Sequence, residues 1–275
     1  MNVLSIQSEV VFGHVGQGAA RFALQRAGHE VWALPTVLYS NHAGYPSVSG
    51  EAVSADLLLR LLDGLEANGW LARCNAVVSG YLVSAEQAEF VAEAVFRAKR
   101  ANRTALYCLD PVMGDNGRVY AKPGVAEAIA RHLLPLADIV TPNAFELLQL
   151  SALGVAGLSE AKIAAERLGR PLVLVTSVLE SPERIGVLAV SHSENWFAST
   201  PLLHDVPHGA GDLFAALFLA RRLNGSVLEK ALRASVAGVF DILAASRGAG
   251  ELRLIAEQNA VVDPPALLGV QLRRI

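Results

Sequence analysis

The run Gly209-Ala210-Gly211-Asp212, followed at once by Leu213-Phe214-Ala215-Ala216-Leu217-Phe218, holds residue types that could handle a transferring phosphoryl group. Two glycines and an alanine let the backbone turn tightly and come close to a ligand. Leu213, Phe214, Leu217 and Phe218 recur at helical spacing, so a helix is predicted to open inside the run. Free amide N–H groups at such an end, with the positive pole of the helix dipole behind them, stabilise an anion. Asp212 would repel that anion unless it has another task, and accepting the proton of an attacking hydroxyl is such a task. Plain helix chemistry is the alternative, since Asp in a first turn complements the dipole and Gly often precedes it. His208, just before the run, adds a titratable donor.

Other polar groups fall where a strand should end. The β-type run from Thr104 closes on Leu109-Asp110-Pro111, and Gly114-Asp115-Asn116-Gly117 lies beyond it. Pro stops the strand, so Asp110 stands at its carboxyl edge, where a carboxylate could manage a metal. An Asx-type turn explains a lone Asp equally well. Asn143 and Glu146 have the spacing of a capping box, which is their simpler reading. Pro171 to Ser177 reads as a buried strand ending in two hydroxyls, Thr176 and Ser177. Ser8 follows the strand Val3–Ile6, and a turn hydroxyl accounts for it too. His42 sits in Ser40-Asn41-His42-Ala43-Gly44-Tyr45, a polar and aromatic stretch suited to a lid or substrate loop, or to an ordinary surface turn.

The elements that must position these groups alternate along the chain. Strands are expected at 3–6, 30–38, 76–82, 104–109, 138–140 and 171–177, with a β-pair at 185–191 and 196–199. Helices are expected at 19–27, 52–65, 85–100, 126–134, from 143, at 160–168, and at 211–223 and 227–245. On the second of these, Leu58, Leu61, Leu62 and Leu65 share a face, and on the last, Leu232, Val236, Val239, Phe240 and Leu243 form a stripe. Gly114 to Gly117 lacks apolar anchors and should be mobile, and the closing Val261–Pro265 segment should be a packed tail. Alternation of this kind predicts an α/β fold with a doubly wound, largely parallel central sheet and helices on both faces, in a single domain over 1–275. In such sheets ligands bind outside the carboxyl ends of the strands, where every group named above falls.

Composition narrows the function classes. The 275 residues are 52% hydrophobic, enough for a large core, and 23 basic and 26 acidic residues give a net charge of -3 without a basic cluster. No nucleic-acid or anionic-membrane partner is expected. Cys74 and Cys108 have no metal-ligand spacing and are expected as buried thiols in a reducing compartment. The first residues lack a basic leader region and no apolar run reaches membrane length, so a cytoplasmic protein is expected. The glycines at 13, 16 and 18 do not spell the dinucleotide fingerprint, and there is no Walker A sequence.

Together the motifs resemble those of the ribokinase superfamily, and within it the pyridoxal kinases. The likeness runs in order through Ser8 with Gly13-His14-Val15-Gly16, Ser40-Asn41-His42, Ser79-Gly80-Tyr81, Asp110 to Asp115, Thr141-Pro142-Asn143 with Glu146, Thr176-Ser177 and Gly209 to Asp212. It implies ATP-dependent phosphorylation of the 5′-hydroxymethyl group of pyridoxal. Asp212 would be the base and Gly209, Ala210 and Gly211 the anion hole. Asp110, Asn143 and Glu146 would surround Mg²⁺ and the triphosphate, with Asp110 and Glu146 as the metal carboxylates. Asp115, Thr176, Ser177, His208 and Gly209 would face the nucleotide. Ser8, Val15, Val37, His42 and Tyr81 would line the vitamin pocket, and the loop from Gly114 to Lys122 would be a flap over the phosphates. A homodimer is implied, and a monovalent cation is a further candidate cofactor. Gln17 stands where the family usually has Asn, Ala43 where related kinases often have Thr, and Ala210 where many have Thr, so Gln17 and Ala43 bear on vitamer choice. A hydroxymethylpyrimidine or sugar kinase of the same superfamily is the nearer alternative, though Val15, Val37 and Tyr81 offer a sugar few polar partners. A low-turnover pyridoxal-binding protein is the other, and an intact Asp212 and Glu146 speak against it.

Overall fold

A computed structural model describes residues 1–115 and 117–275. In chain order the elements are β1 (Asn2–Val10), α1 (Gln17–Arg26), β2 (Glu30–Tyr39), β3 (Gly50–Ala52), α2 (Ala55–Ala67), β4 (Cys74–Ser79), α3 (Ala85–Ala101), β5 (Leu106–Leu109), β6 (Gly114–Asp115), β7 (Arg118–Val119), α4 (Val125–Ala128), β8 (Ile139–Val140), α5 (Ala144–Ser151), α6 (Leu158–Arg167), β9 (Leu172–Ser181), β10 (Arg184–Ser191), β11 (Asn195–Pro201), α7 (Ala210–Leu223), α8 (Leu228–Ala245), α9 (Asn259–Val262) and β12 (Gln271–Arg274).

The main sheet has ten strands in the order β12-β11-β10-β9-β8-β5-β4-β1-β2-β3. Strands β2, β1, β4, β5, β8 and β9 run parallel, and antiparallel strands extend both edges. The parallel strands are apolar on both faces because helices cover both. Val3, Ala76, Val78 and Cys108 point into one core with α1, α7 and α8. Leu4, Ile6, Val77, Tyr107 and Leu109 point into the other with α2, α3 and α4. Alternation along each strand divides the two layers. The strand order reverses between β1 and β4, and Gly80, just past β4, and Ser8, which lies within β1 at a register shift and not after the strand as expected, flank the crevice where such sheets take ligands.

Three local expectations need correction. Strand β9 runs on to Ser181, so Thr176 and Ser177 lie within it, and Ser177 takes a positive φ of 57°. The helix expected at 126–134 is one α turn followed by a π turn, Ile129–Leu133, and a 3₁₀ turn, Leu134–Leu136; Pro135 has no N–H to continue the ladder. On α2 only Leu58 and Leu62 are buried, while Leu61 faces solvent. The closing Val261–Pro265 segment packs as expected, with Val261 in the core, and beyond it an unexpected strand, β12, pairs with β11, where Arg273 meets both the Glu180 carboxylate and the Phe197 ring. Both cysteines are buried. Among the described residues no helix is long and apolar enough to cross a membrane.

Candidate active site

Helix α7 begins at Gly209 in the left-handed region, with φ 102°. A Cβ there would lie 2.2 Å from the His14 carbonyl oxygen, so both conformation and space require glycine. No side chain caps this helix start. The contrast with α5 is direct: Asn143 Oδ1 accepts from the Glu146 amide and Glu146 Oε2 from the Asn143 amide, each at 2.9 Å. The capping box is therefore real at α5, and the amides at Ala210 and Gly211 have no such partner. A Cβ on Gly211 would meet open space, so no protein neighbour excludes a side chain there, whereas a ligand at the helix start would.

Asp212, in the first turn of α7, accepts a hydrogen bond from the Gly16 amide on Oδ2 at 2.9 Å. Burial pushes its pKa up, opposed by that amide. Asp110 lies within its electrostatic reach. Asp110 is buried at the end of β5, its amide bonded to the Ser79 carbonyl and its Oδ1 accepting from Thr141 Oγ1 at 3.0 Å. Burial first, then the charges of Glu146 and Asp212, raise its pKa well above the carboxylate range. Glu146 is buried too, and its Oε1 accepts from the Met113 amide at 2.9 Å. Burial lifts its pKa to about 7 in spite of the amides of Asn143, Met113 and Gly114. A neighbourhood that makes carboxylates this reluctant to ionise is one that a cation would relieve. Among the described residues no set of three His, Cys, Asp or Glu side chains could hold a metal. A cation beside Asp110 and Glu146 would take its remaining ligands from oxygens other than a third carboxylate, such as water and phosphate, a set that suits Mg²⁺.

The segment expected as an unanchored flap is tied at its base. Strands β6 and β7 pair antiparallel, and the amides of Tyr120 and Ala121 both donate to the Met113 carbonyl at 3.0 Å. Asn143 Nδ2 donates to the Gly114 carbonyl at 2.8 Å, and Gly114 abuts the Phe145 ring. Asn116 lies outside the described residues. Asp115 is exposed and close enough to Glu146 to raise its pKa. The Tyr120 phenol is held well above its ordinary pKa by burial and by the carboxylates at 146, 115, 110 and 212. Thr176 joins this side through its amide, which donates to the Pro142 carbonyl at 2.9 Å, while Ser177 is exposed on the same edge.

Across α7 from these groups, a Cβ on Gly16 would sit 2.2 Å from Ser8 Oγ, which puts Ser8, Gly16 and Asp212 side by side. Val15 is partly buried on the same loop. The Tyr81 carbonyl accepts from Thr36 Oγ1 at 2.8 Å, and burial raises the Tyr81 phenol pKa. Val37 is completely buried in β2 and offers no exposed surface to a ligand, against the expectation that it lines the pocket. Gln17 is likewise buried. Its side chain is 1% exposed and folds onto β1, accepting from Ser5 Oγ at 2.9 Å and donating to the Ser5 carbonyl at 2.8 Å. His42 is 4.9 Å ring to ring from His208 and 4.8 Å from Tyr45, so His208 links the start of α7 to the loop at Ser40–Tyr45.

Two residues at this site were not singled out from the sequence. Glu251 accepts from the His14 amide, the Tyr45 hydroxyl and His42 Nε2, though 209 residues separate it from His42. Only its place after Gly248-Ala249-Gly250 hinted at a tight approach. Gln87, on α3, donates to the Thr36 and Val53 carbonyls and accepts from the Val83 amide, tying β2 and β3 to the Tyr81 loop.

An uncapped helix start with a carboxylate inside its first turn, facing a second acidic pair across the mouth of a parallel sheet, is the layout of a ribokinase-like small-molecule kinase. A family model described as phosphomethylpyrimidine kinase matches residues 65–253. The chain is 43% identical to the pyridoxal kinase PdxY of Rubrobacter xylanophilus, over 98% of its own length and 97% of that protein's. It is 42% identical to that of Deinococcus radiodurans, over 98% and 96%. Its fold matches a solved pyridoxal kinase from Leishmania donovani in complex with ADP and pyridoxamine, with TM-score 0.94, 31% identity and coverage of 100% and 99%. The chain belongs to the pyridoxal kinases of the ribokinase-like superfamily.

Proposed function

We propose that this protein transfers the γ-phosphoryl group of ATP to the 5′-hydroxymethyl group of pyridoxal, giving pyridoxal 5′-phosphate and ADP, as one kinase domain over 1–275. The observation that carries this reading is the placement of Asp212 inside an uncapped, glycine-built helix start, with Ser8 on one side and Asp110 on the other. With Gly16 bonded to Oδ2, Oδ1 of Asp212 is the oxygen left to take the hydroxyl proton. Its raised pKa makes it a stronger base than an exposed Asp would be. The amides of Gly209, Ala210 and Gly211 receive the transferring group, and their dipoles are fixed before the reaction begins.

Asp110 and Glu146 are assigned to Mg²⁺, directly or through water, and when bound the ion neutralises phosphate charge. Asn143, Asp115, Thr176, Ser177 and His208 are assigned to the nucleotide side. Ser8, Val15, His42 and Tyr81 are assigned to the vitamer, with Val37 behind them. A homodimer and a cytoplasmic location complete the reading; exposed Val11, Phe12 and Leu38 around the groove at Val10 and Tyr39 support the dimer. A coupled ATP-turnover assay over pyridoxal, pyridoxine, pyridoxamine, hydroxymethylpyrimidine and ribose tests it. Pyridoxal should give the highest kcat/KM, and a comparable value for hydroxymethylpyrimidine would overturn the assignment.

A further inference from the structure

Glu251 lies outside every set of residues assigned above, yet its carboxylate is the meeting point of three chain segments. Oε2 accepts from the His14 amide at 2.9 Å, and Oε1 accepts from the Tyr45 hydroxyl at 2.8 Å and stands 3.1 Å from His42 Nε2. The direction of the last bond is fixed by the other ring nitrogen. His42 Nδ1 faces the Gly44 amide at 3.1 Å and must accept from it, so Nε2 carries the proton and donates to Glu251. The carboxylate is 15% exposed, and it reaches its place because Gly13 has no Cβ, which would otherwise stand 2.6 Å from Oε2. The segment that bears it is fixed to the end of α8, where the Arg253 amide donates to Ser246 Oγ at 2.9 Å.

His14 is two residues before Gly16, whose amide holds Asp212. One carboxylate therefore joins the loop that carries His42 to the loop that holds the base, without touching the reacting groups itself. We propose that Glu251 is a positioning residue, a clamp that keeps the loop Ser40–Tyr45 in register with the loop Gly13–Gly16. It acts through His42, Tyr45 and the His14 amide. The inference rests on the reading that His42 faces the vitamer.

The test is steady-state kinetics of Glu251→Gln with both substrates varied. A carboxamide offers one acceptor oxygen and turns an NH₂ toward either the His14 N–H or the His42 and Tyr45 donors, so one side of the clamp must open. KM for pyridoxal should rise about tenfold or more, while KM for ATP stays within about twofold. Tyr45→Phe, which removes a single hydroxyl from the same carboxylate, should raise KM for pyridoxal about threefold, and by less in the Glu251→Gln background. It also carries the test if Glu251→Gln does not fold. A KM for pyridoxal unchanged in both variants, or equal rises for pyridoxal and ATP, would overturn the clamp while wild-type turnover of pyridoxal upheld the functional reading. A wild-type protein that did not turn over pyridoxal would overturn both.

Discussion

The backbone N–H of Gly16 donates to Oδ2 of Asp212 at 2.9 Å, across 196 residues of sequence. The bond exists because Gly16 adopts φ 51° and ψ -124°, a conformation that L side chains rarely take. Its bare α-carbon also fits against Ser8, where a Cβ would lie 2.2 Å from Oγ and 2.3 Å from the carbonyl oxygen. Gly16→Ala should push the loop off β1 and take the amide away from Asp212. Strain of about 1–3 kcal/mol should lower the melting temperature by several degrees, and a misaligned base should lower kcat/KM about 10²-fold. Thermal melts and kinetics on the same preparation check this. Wild-type kcat/KM in the variant would show that the Gly16–Asp212 bond is incidental.

Asp110 should make the free protein less stable as pH rises. Burial and the neighbouring carboxylates raise its pKa in the folded protein above the unfolded value, so folding takes up a proton. Stability is then lost as pH climbs from the unfolded pKa through the folded one. Asp110→Asn cannot ionise and keeps an oxygen for Thr141. Without nucleotide or metal it should melt about 3 °C or more above wild type near pH 8.5, with a smaller gap near pH 5 that closes only as pH approaches the unfolded carboxyl value of about 3.9. If Asp110 holds Mg²⁺ as proposed, turnover should fall at every pH. Melting temperatures that coincide at both pH values would reject the charge argument.

Gln17→Asn restores the residue common in related kinases, yet the structure ties Gln17 to Ser5 and not to the pocket. The shorter side chain withdraws from a buried hydroxyl and carbonyl, at a cost of about 1–3 kcal/mol. The melting temperature should fall by roughly 2–4 °C per kcal/mol. The ratio of kcat/KM for pyridoxal to that for pyridoxine should stay within about twofold of wild type. A changed ratio at an unchanged melting temperature would return Gln17 to the vitamer site.

The parallel sheet was legible because strands such as Ala76–Ser79 are short, apolar on both faces and followed by helical periodicity. The edges were harder to read. Gln271–Arg274 has no apolar alternation of its own and becomes a strand only because β11 offers an unpaired edge. The candidate groups Asp110, Glu146 and Asp212 could be picked out because each sits at a strand end or helix start, a local feature that sequence displays. Glu251 was not, since its role comes from contacts with residues 14, 42 and 45. The three hydrogen bonds of Gln87 are invisible for the same reason, as a Gln inside an amphipathic helix reads as an exposed residue. Val37 differs in the other direction: likeness of position suggested a contact, and only packing shows that its side chain is fully buried.

Asp212→Asn separates the base from the helix start. Gly209, not Asp212, is the N-cap of α7, so the helix does not depend on this carboxylate for its cap. The Asn carbonyl oxygen can still accept from Gly16, which keeps the loop in place. Folding and ATP binding should survive, and removal of a charge that burial disfavours should leave the melting temperature unchanged or higher. An amide cannot take the hydroxyl proton, so kcat should fall about 10²- to 10⁴-fold, or roughly 3–5 kcal/mol of transition-state stabilisation. The pH profile gives a second readout. Because burial raises the Asp212 pKa, wild-type kcat should decline on acidification as the base is protonated, whereas the residual rate of Asp212→Asn should lack that ionisation. Single-turnover measurements across the acidic limb, alongside melts and ATP titrations, distinguish the cases. If Asp212 only complements the helix dipole, kcat will lie within about threefold of wild type and the two pH profiles will coincide, and the assignment of Asp212 as the base is then rejected.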